Sequence, residues 1–130
     1  MFKKNINIIM GIDYGTKKVG IALGQKITNT AKPLETVKKS LLLYRILDIV
    51  KKWDINTIIL GIPQKETPIE IFLEINKLEF FLKKNGLITH TISEHLTSWE
   101  SYKLKKKHKK KTTDSISAAI LLQNWFTLSA

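Results

Sequence analysis

The sequence predicts an α/β fold, a central mixed sheet of five strands flanked by helices. Three observations carry this: an apolar hairpin opens the chain, strand-like and helix-like segments then alternate, and the helical segments repeat their apolar residues every three to four positions.

Residues 6–13 (INIIMGID) form an apolar, β-branched run that ends in an acid. Tyr14 to Lys18 reads as a Gly-bearing turn and Val19–Leu23 as the second strand of a hairpin. A third extended segment, Ala31–Val37, carries Pro33, which assigns it to a sheet edge. Ser40 is the expected cap of a helix running to Trp53, with Leu42, Ile46, Ile49, Val50 and Trp53 on its apolar face. Thr57–Leu60, stopped by Gly61-Ile62-Pro63, reads as a strand buried on both faces.

A longer helix is expected from Pro68 to Lys84. Ile71, Ile75, Leu78 and Leu82 line its buried face, Pro68 suits its first turn and Gly86 closes it. Leu87–Ser93 is the fifth strand, with Glu94 just past its end. Residues 97–107 begin with helix character and run into KKKHKKK. The last helix spans Thr113–Thr127, capped by Thr112 or Thr113, and is apolar on most sides, as a helix packed on a sheet would be. The first three strands are antiparallel, and the helical crossovers make the later strands parallel to the first.

A length of 130 residues fits one domain over residues 1–130. The absence of cysteine excludes a disulfide framework and a thiolate metal site. The apolar N-terminal stretch is broken by Asn5 and Asn7 and ends at Asp13, unlike a secretory signal, and no run is long enough to span a bilayer. The chain therefore reads as cytoplasmic, with no membrane partner. A net charge of +11 points to a polyanionic partner. Arg45 is the sole arginine, however, and Lys, Ile and Asn abound, as AT-rich coding also produces, so charge alone does not decide for nucleic acid.

Of the 11 acidic residues, Asp48, Glu70, Glu74 and Glu79 fall on helices and Glu66 in a loop. Asp13, Glu94 and Asp114 differ: the first ends a strand, the second follows one, and the third opens the final helix. Functional groups of open α/β sheets gather at the carboxyl ends of parallel strands. Three carboxylates gathered there would repel one another, and a hard divalent cation relieves that repulsion. Such a set suits phosphodiester hydrolysis with two metal ions about 4 Å apart. Asp13 would bridge both ions, and Glu94 and Asp114 would each complete one coordination sphere. Each acid also has an ordinary reading, as turn residue, loop charge or partner of the helix dipole.

The stretch Gly11-Ile12-Asp13-Tyr14-Gly15-Thr16-Lys17-Lys18-Val19-Gly20-Ile21-Ala22 resembles the opening motif of the YqgF/RuvX family. That family comprises Holliday junction resolvase-like proteins regarded as pre-16S rRNA processing nucleases. Pro33-Leu34-Glu35-Thr36, Ile58-Ile59-Leu60-Gly61-Ile62-Pro63, Glu94-His95-Leu96-Thr97-Ser98 and the run from Asp114 to Gln123 are similar to its later motifs, in the same order. The resemblance implies an RNase H-like fold, cleavage dependent on Mg²⁺ (or Mn²⁺ in its place), and trimming of the 5′ end of pre-16S rRNA in ribosome biogenesis. It assigns catalysis and metal binding to Asp13, Glu94 and Asp114. Two positions depart from the pattern: Ser93 and His95 replace an Asp and an Arg, and a mostly neutral His grips phosphate less firmly.

The expected substrate contacts are Gly15, Thr16, Lys17 and Lys18 in the first turn, His95 and Thr97 after the fifth strand, and Lys111 at the end of the basic run. Backbone amides in a tight Gly turn can approach phosphate closely; the alternative is a plain hairpin turn with solvated lysines. Lys103 to Lys111 could clamp an RNA backbone, or lie as a solvated loop. Trp99 and Tyr102 could stack on bases but suit the core better, and His90 reads as structural. The expected partner is structured RNA in pre-ribosomal particles, with branched DNA as the alternative and the chain acting as a monomer or weak homodimer. A junction resolvase would need a symmetric dimer. An actin-like ATPase, whose phosphate hairpin Asp13-Tyr14-Gly15-Thr16 also resembles, would need a second domain for which this chain is too short. A binding module without cleavage is the non-enzymatic alternative.

Overall fold

A computed structural model describes residues 8–63, 66–93, 106–107 and 113–129. The strands are β1 (Ile8–Tyr14), β2 (Lys18–Gln25), β3 (Thr30–Lys38), β4 (Thr57–Ile62) and β5 (Ile88–Ser93), and the helices α1 (Leu42–Trp53), α2 (Ile69–Lys84) and α3 (Thr113–Ser129). The sheet order is β3-β2-β1-β4-β5. The β1–β2 and β2–β3 pairs are antiparallel, whereas β4 is parallel to both β1 and β5. The expected mixed sheet and its strand directions are therefore observed. Among the described residues no helix is long and apolar enough to cross a membrane.

Side-chain alternation along the strands divides the core in two. Met10, Ile12, Val19, Ile21, Ile58 and Leu60 face α1 and α2. Ile9, Ala22, Ile59 and Ile92 face α3. β4 is buried on both faces, as its unbroken apolar run predicts. The buried faces of α1 (Leu42, Ile46, Ile49) and α2 (Ile71, Ile75, Leu78, Leu82) follow the helical period. Trp53, by contrast, is exposed.

Several boundaries differ from expectation. Tyr14 and Lys18 belong to strands, which leaves a tighter turn at Gly15–Lys17. Pro33 does lie in an edge strand, where a bulge interrupts the β2 pairing. Ser40 does not cap α1: it sits in a 3₁₀ turn, Lys39–Leu41, and the N-cap position, Leu41, makes no side-chain cap. Pro68 occupies the N-cap of α2 rather than its first turn, and Gly86 ends that helix region at φ +81°. Of the two predicted caps of the last helix, Thr113 is already its first residue, whereas Thr112 and most of residues 97–107 lie outside the described residues.

The approach of α3 to the sheet is unusually close because the facing strand positions are glycines. At Gly11 a Cβ would lie 3.1 Å from the Ala118 carbonyl oxygen and 3.1 Å from Leu122 Cβ. At Gly20 it would overlap the carbonyl oxygen of Asp114, and at Gly24 it would press to 2.8 Å from the Phe126 ring. Ser115, Ala118 and Ala119 keep the helix side of this contact small. Gln123 Nε2 also donates to the Asn29 carbonyl oxygen at 2.6 Å, tying α3 to the β2–β3 turn.

Gly20→Ala should destabilise the chain by about 3 kcal/mol or more, at or beyond the upper end for overpacking, because backbone rather than a flexible side chain must yield. Urea unfolding of this variant beside Ala22→Gly, which adds no bulk, checks it.

Candidate active site at the carboxyl edge of the sheet

β1, β4 and β5 are parallel, so their carboxyl ends share one edge of the sheet. The register sets Ile12 level with Leu60 and Leu60 level with Thr91, so Asp13 lies just past that row. Asp13 alternates with Ile12 and therefore projects to the α3 face, half-buried. Its cross-strand partner is Gly20, the residue that backs directly onto Asp114. Directly opposed positions on an antiparallel pair have Cβ atoms about 5 Å apart. The main chain of Asp114 consequently lies within about 8 Å of the Asp13 Cβ.

Asp114 stands in the first turn of α3 and is half-buried. The partial positive charge of a helix N-terminus favours both carboxylates there. Two of the three predicted acids are thus brought together from positions about 100 residues apart. Glu94 lies outside the described residues and directly follows Ser93, which ends β5 at this same edge. Among the described residues no group of three or more metal-ligating side chains forms. The chemistry of the pair still fits a divalent ion: two hard oxygen donors in half-buried positions repel each other less when a cation lies between them.

The predicted substrate contacts divide. Thr16, Lys17 and Lys18 are exposed beside Asp13. Of the two readings open for this turn, the Gly15 amide takes the plain hairpin one: it donates to the Lys18 carbonyl oxygen at 3.0 Å. It closes the turn, because a turn this short must satisfy its own amide. His95, Thr97 and Lys111 lie outside the described residues, as do Trp99 and Tyr102. His90 stacks on Trp125 with ring centroids 5.7 Å apart, a packing role as expected.

Sequence reading missed two features. Lys38 pairs with Lys18 across β2–β3 and alternation puts both on the α3 face, so two exposed cations flank the acids. The alternation of β3 carried that signal. The second is a network on the opposite face. The Tyr14 hydroxyl donates to Glu74 Oε1 at 2.7 Å, and Lys39 Nζ reaches the same oxygen at 2.8 Å. Lys39 also lies 4.7 Å from the centre of the Tyr14 ring. Burial and the hydrogen bond to Glu74 push the Tyr14 phenol well above its usual range. Hydrogen bonds from Lys39 and Tyr14 hold the Glu74 carboxyl below its ordinary value. No sequence signal marks Glu74, which looks like any charge on a helix.

A carboxyl depressed in the folded state stabilises it above its unfolded pKa, and that contribution fades as pH falls through the folded value. Glu74→Gln should therefore lower the urea midpoint at pH 7, and the gap from wild type should close on acidification from about pH 4.5 downward. A gap that is constant from pH 7 to pH 3 would contradict this.

Comparison with known proteins places the chain in a family. The family profile described as RuvX, Holliday junction resolvase, matches residues 7–128. Proteins named "Putative pre-16S rRNA nuclease" are similar: one from Blochmanniella floridana is 34% identical, covering 94% of this chain and 95% of that protein. One from Buchnera aphidicola subsp. Baizongia pistaciae is 31% identical, covering 94% and 98%. Among solved structures, Thermus thermophilus RuvC in complex with a Holliday junction substrate superposes with a TM-score of 0.69 at 15% identity, covering 95% of each chain. The Fowlpox virus resolvase with Holliday junction DNA superposes at 0.61 and 14% identity, covering 94% of this chain and 98% of that one. These likenesses establish the fold as the RNase H-like one. The profile match over nearly the whole chain, with relatives above 30% identity, makes this chain a member of the RuvX family.

Proposed function

We propose that this chain is a divalent-metal-dependent nuclease that processes the 5′ end of pre-16S rRNA, with Asp13, Glu94 and Asp114 as its catalytic and metal-binding acids. The chain is a hydrolase of phosphodiester bonds, as its family and the names of its relatives support. The observation that carries the finer reading is the seat of Asp114 on Gly20, directly across from Asp13.

Asp13, Glu94 and Asp114 would hold divalent ions, Mg²⁺ or Mn²⁺, which would supply Lewis acidity toward the phosphodiester. The chain's own groups do the rest. Asp13 and Asp114 present oxygen ligands from two rigid elements, and Glu94, the next residue after β5 in the sequence, is the third acid of the proposed set. Lys18 and Lys38 neutralise phosphate on the flank, beside Thr16 and Lys17 in the exposed turn. Contacts of this type hold a nucleic-acid backbone without reading its sequence. The names of the sequence relatives favour pre-16S rRNA as the substrate; pre-ribosomal particles in the cytoplasm are the setting proposed with it. The family description favours a second reading, cleavage of branched DNA.

Incubation with 5′ fragments of pre-16S rRNA and with four-way DNA junctions separates the two. The expected outcome is cleavage of RNA with Mg²⁺ and none with EDTA. Asp13→Asn and Asp114→Asn should each lower the rate about 100-fold or more, beyond the loss typical of outer-shell changes. Equal cleavage by Asp114→Asn, or cleavage of neither substrate by wild type, would reject the assignment.

A further inference from the structure

We infer that the Tyr14–Glu74–Lys39 network is a positioning device for the Asp13 carboxylate; this rests on Asp13 being a metal ligand. The ladder between β1 and β4 runs from Met10 to Ile12 and stops there. Asp13 and Tyr14 extend past it, and among the described residues the ladder to β2 alone continues at this tip, through Asp13–Gly20 and Tyr14–Val19. A strand tip laddered on one side can twist about that single ladder. Any such twist swings the Asp13 side chain, because neighbouring residues on a strand project to opposite faces.

Tyr14 blocks this motion from the other face. Its ring is buried, and its hydroxyl is anchored 2.7 Å from Glu74 Oε1, in the middle of α2. Lys39, in the turn after β3, fixes the same oxygen from a third segment, 2.8 Å away, and covers the ring. Three separate segments therefore meet on one carboxylate oxygen directly behind the candidate metal ligand. Half-exposed ion pairs of this kind add little net stability. Their effect is geometric: the network fixes the rotation of the β1 tip, as the outer partners of a metal ligand fix its orientation. Glu74, Lys39 and Tyr14 are thus positioning residues that touch neither substrate nor metal.

The test is Mn²⁺ binding to the whole chain, read from the loss of the free-ion EPR signal. It compares wild type, Tyr14→Phe, Glu74→Gln, Asp13→Asn and Glu35→Gln. Glu35→Gln breaks the two-pronged Arg45–Glu35 contact between α1 and β3, an ion pair with no link to the β1 tip. Tyr14→Phe keeps the buried ring, so its fold is retained. Tyr14→Phe and Glu74→Gln should each weaken Mn²⁺ binding about tenfold, with Glu35→Gln at the wild-type affinity. Amide exchange at residues 12–16 should rise in the same two variants. Wild-type affinity in Tyr14→Phe, or equal weakening in Glu35→Gln, overturns the inference and leaves the nuclease reading standing. No Mn²⁺ binding by wild type, or unchanged binding by Asp13→Asn, overturns both.

Discussion

Backbone-to-backbone contact between α3 and the β1–β2 hairpin governs this molecule. Helices ordinarily pack on sheets through interposed side chains, which hold the two main chains well apart. Here Gly11, Gly20 and Gly24 remove those side chains from the sheet, and Ser115, Ala118 and Ala119 keep the helix side thin. Dispersion at such close range is strong only while the fit is kept, so the packing is intolerant of added bulk. The same contact builds the candidate site. Gly20 is the cross-strand neighbour of Asp13, and the first turn of α3 rests on it. A change that lifts the helix would separate the two acids at the same stroke.

The two faces of the sheet carry different loads. The α1/α2 face holds the larger apolar cluster, with fully buried Ile12, Ile21, Ile46, Ile58 and Leu60. The α3 face is thinner, and its acidic end opens to solvent beside exposed lysines. The tip of β1 takes part in both, Asp13 on one side and Tyr14 on the other. Polar contacts on the packing face can therefore bear on chemistry at the opposite face. A cavity of about 280 Å³ near Ile8, Lys32, Pro33 and Trp53 lies at the far end of β1 and is lined by no carboxylate.

The electrostatic layout follows the same division. Arg45, the sole arginine, is taken up by Glu35 at 2.7 and 2.8 Å and by Asp48 at 2.7 Å, so it joins α1 to β3. Lys39 is held by Glu74 and Lys83 by Glu79. Glu35, Asp48, Glu74 and Glu79 on β3, α1 and α2 are thus occupied with structural cations. Lys17, Lys18 and Lys38 stay exposed around the candidate site, where a phosphate backbone would need them.

Local pattern was enough for the elements. Runs of apolar β-branched residues marked β1 and β4, the helical period marked α1 and α2, and helical crossovers implied the parallel strands. The positions of Asp13 and Asp114 at element ends, together with the motif resemblance, marked both as candidate site residues. The errors were those of context. Ser40 has the chemistry of a cap, yet the chain enters α1 through a 3₁₀ turn that needs none. Gly15 has the freedom of a phosphate-binding turn, yet its amide is spent within the turn. Sequence by itself determined which segments are strands and helices and which acids stand at their ends, because those properties depend on neighbours a few residues away. Only the tertiary structure decided that Asp114 rests across from Asp13 and that Glu74 holds the tip of β1. Both depend on contacts spanning 60 residues or more, and no local signal encodes which distant partner a side chain will meet.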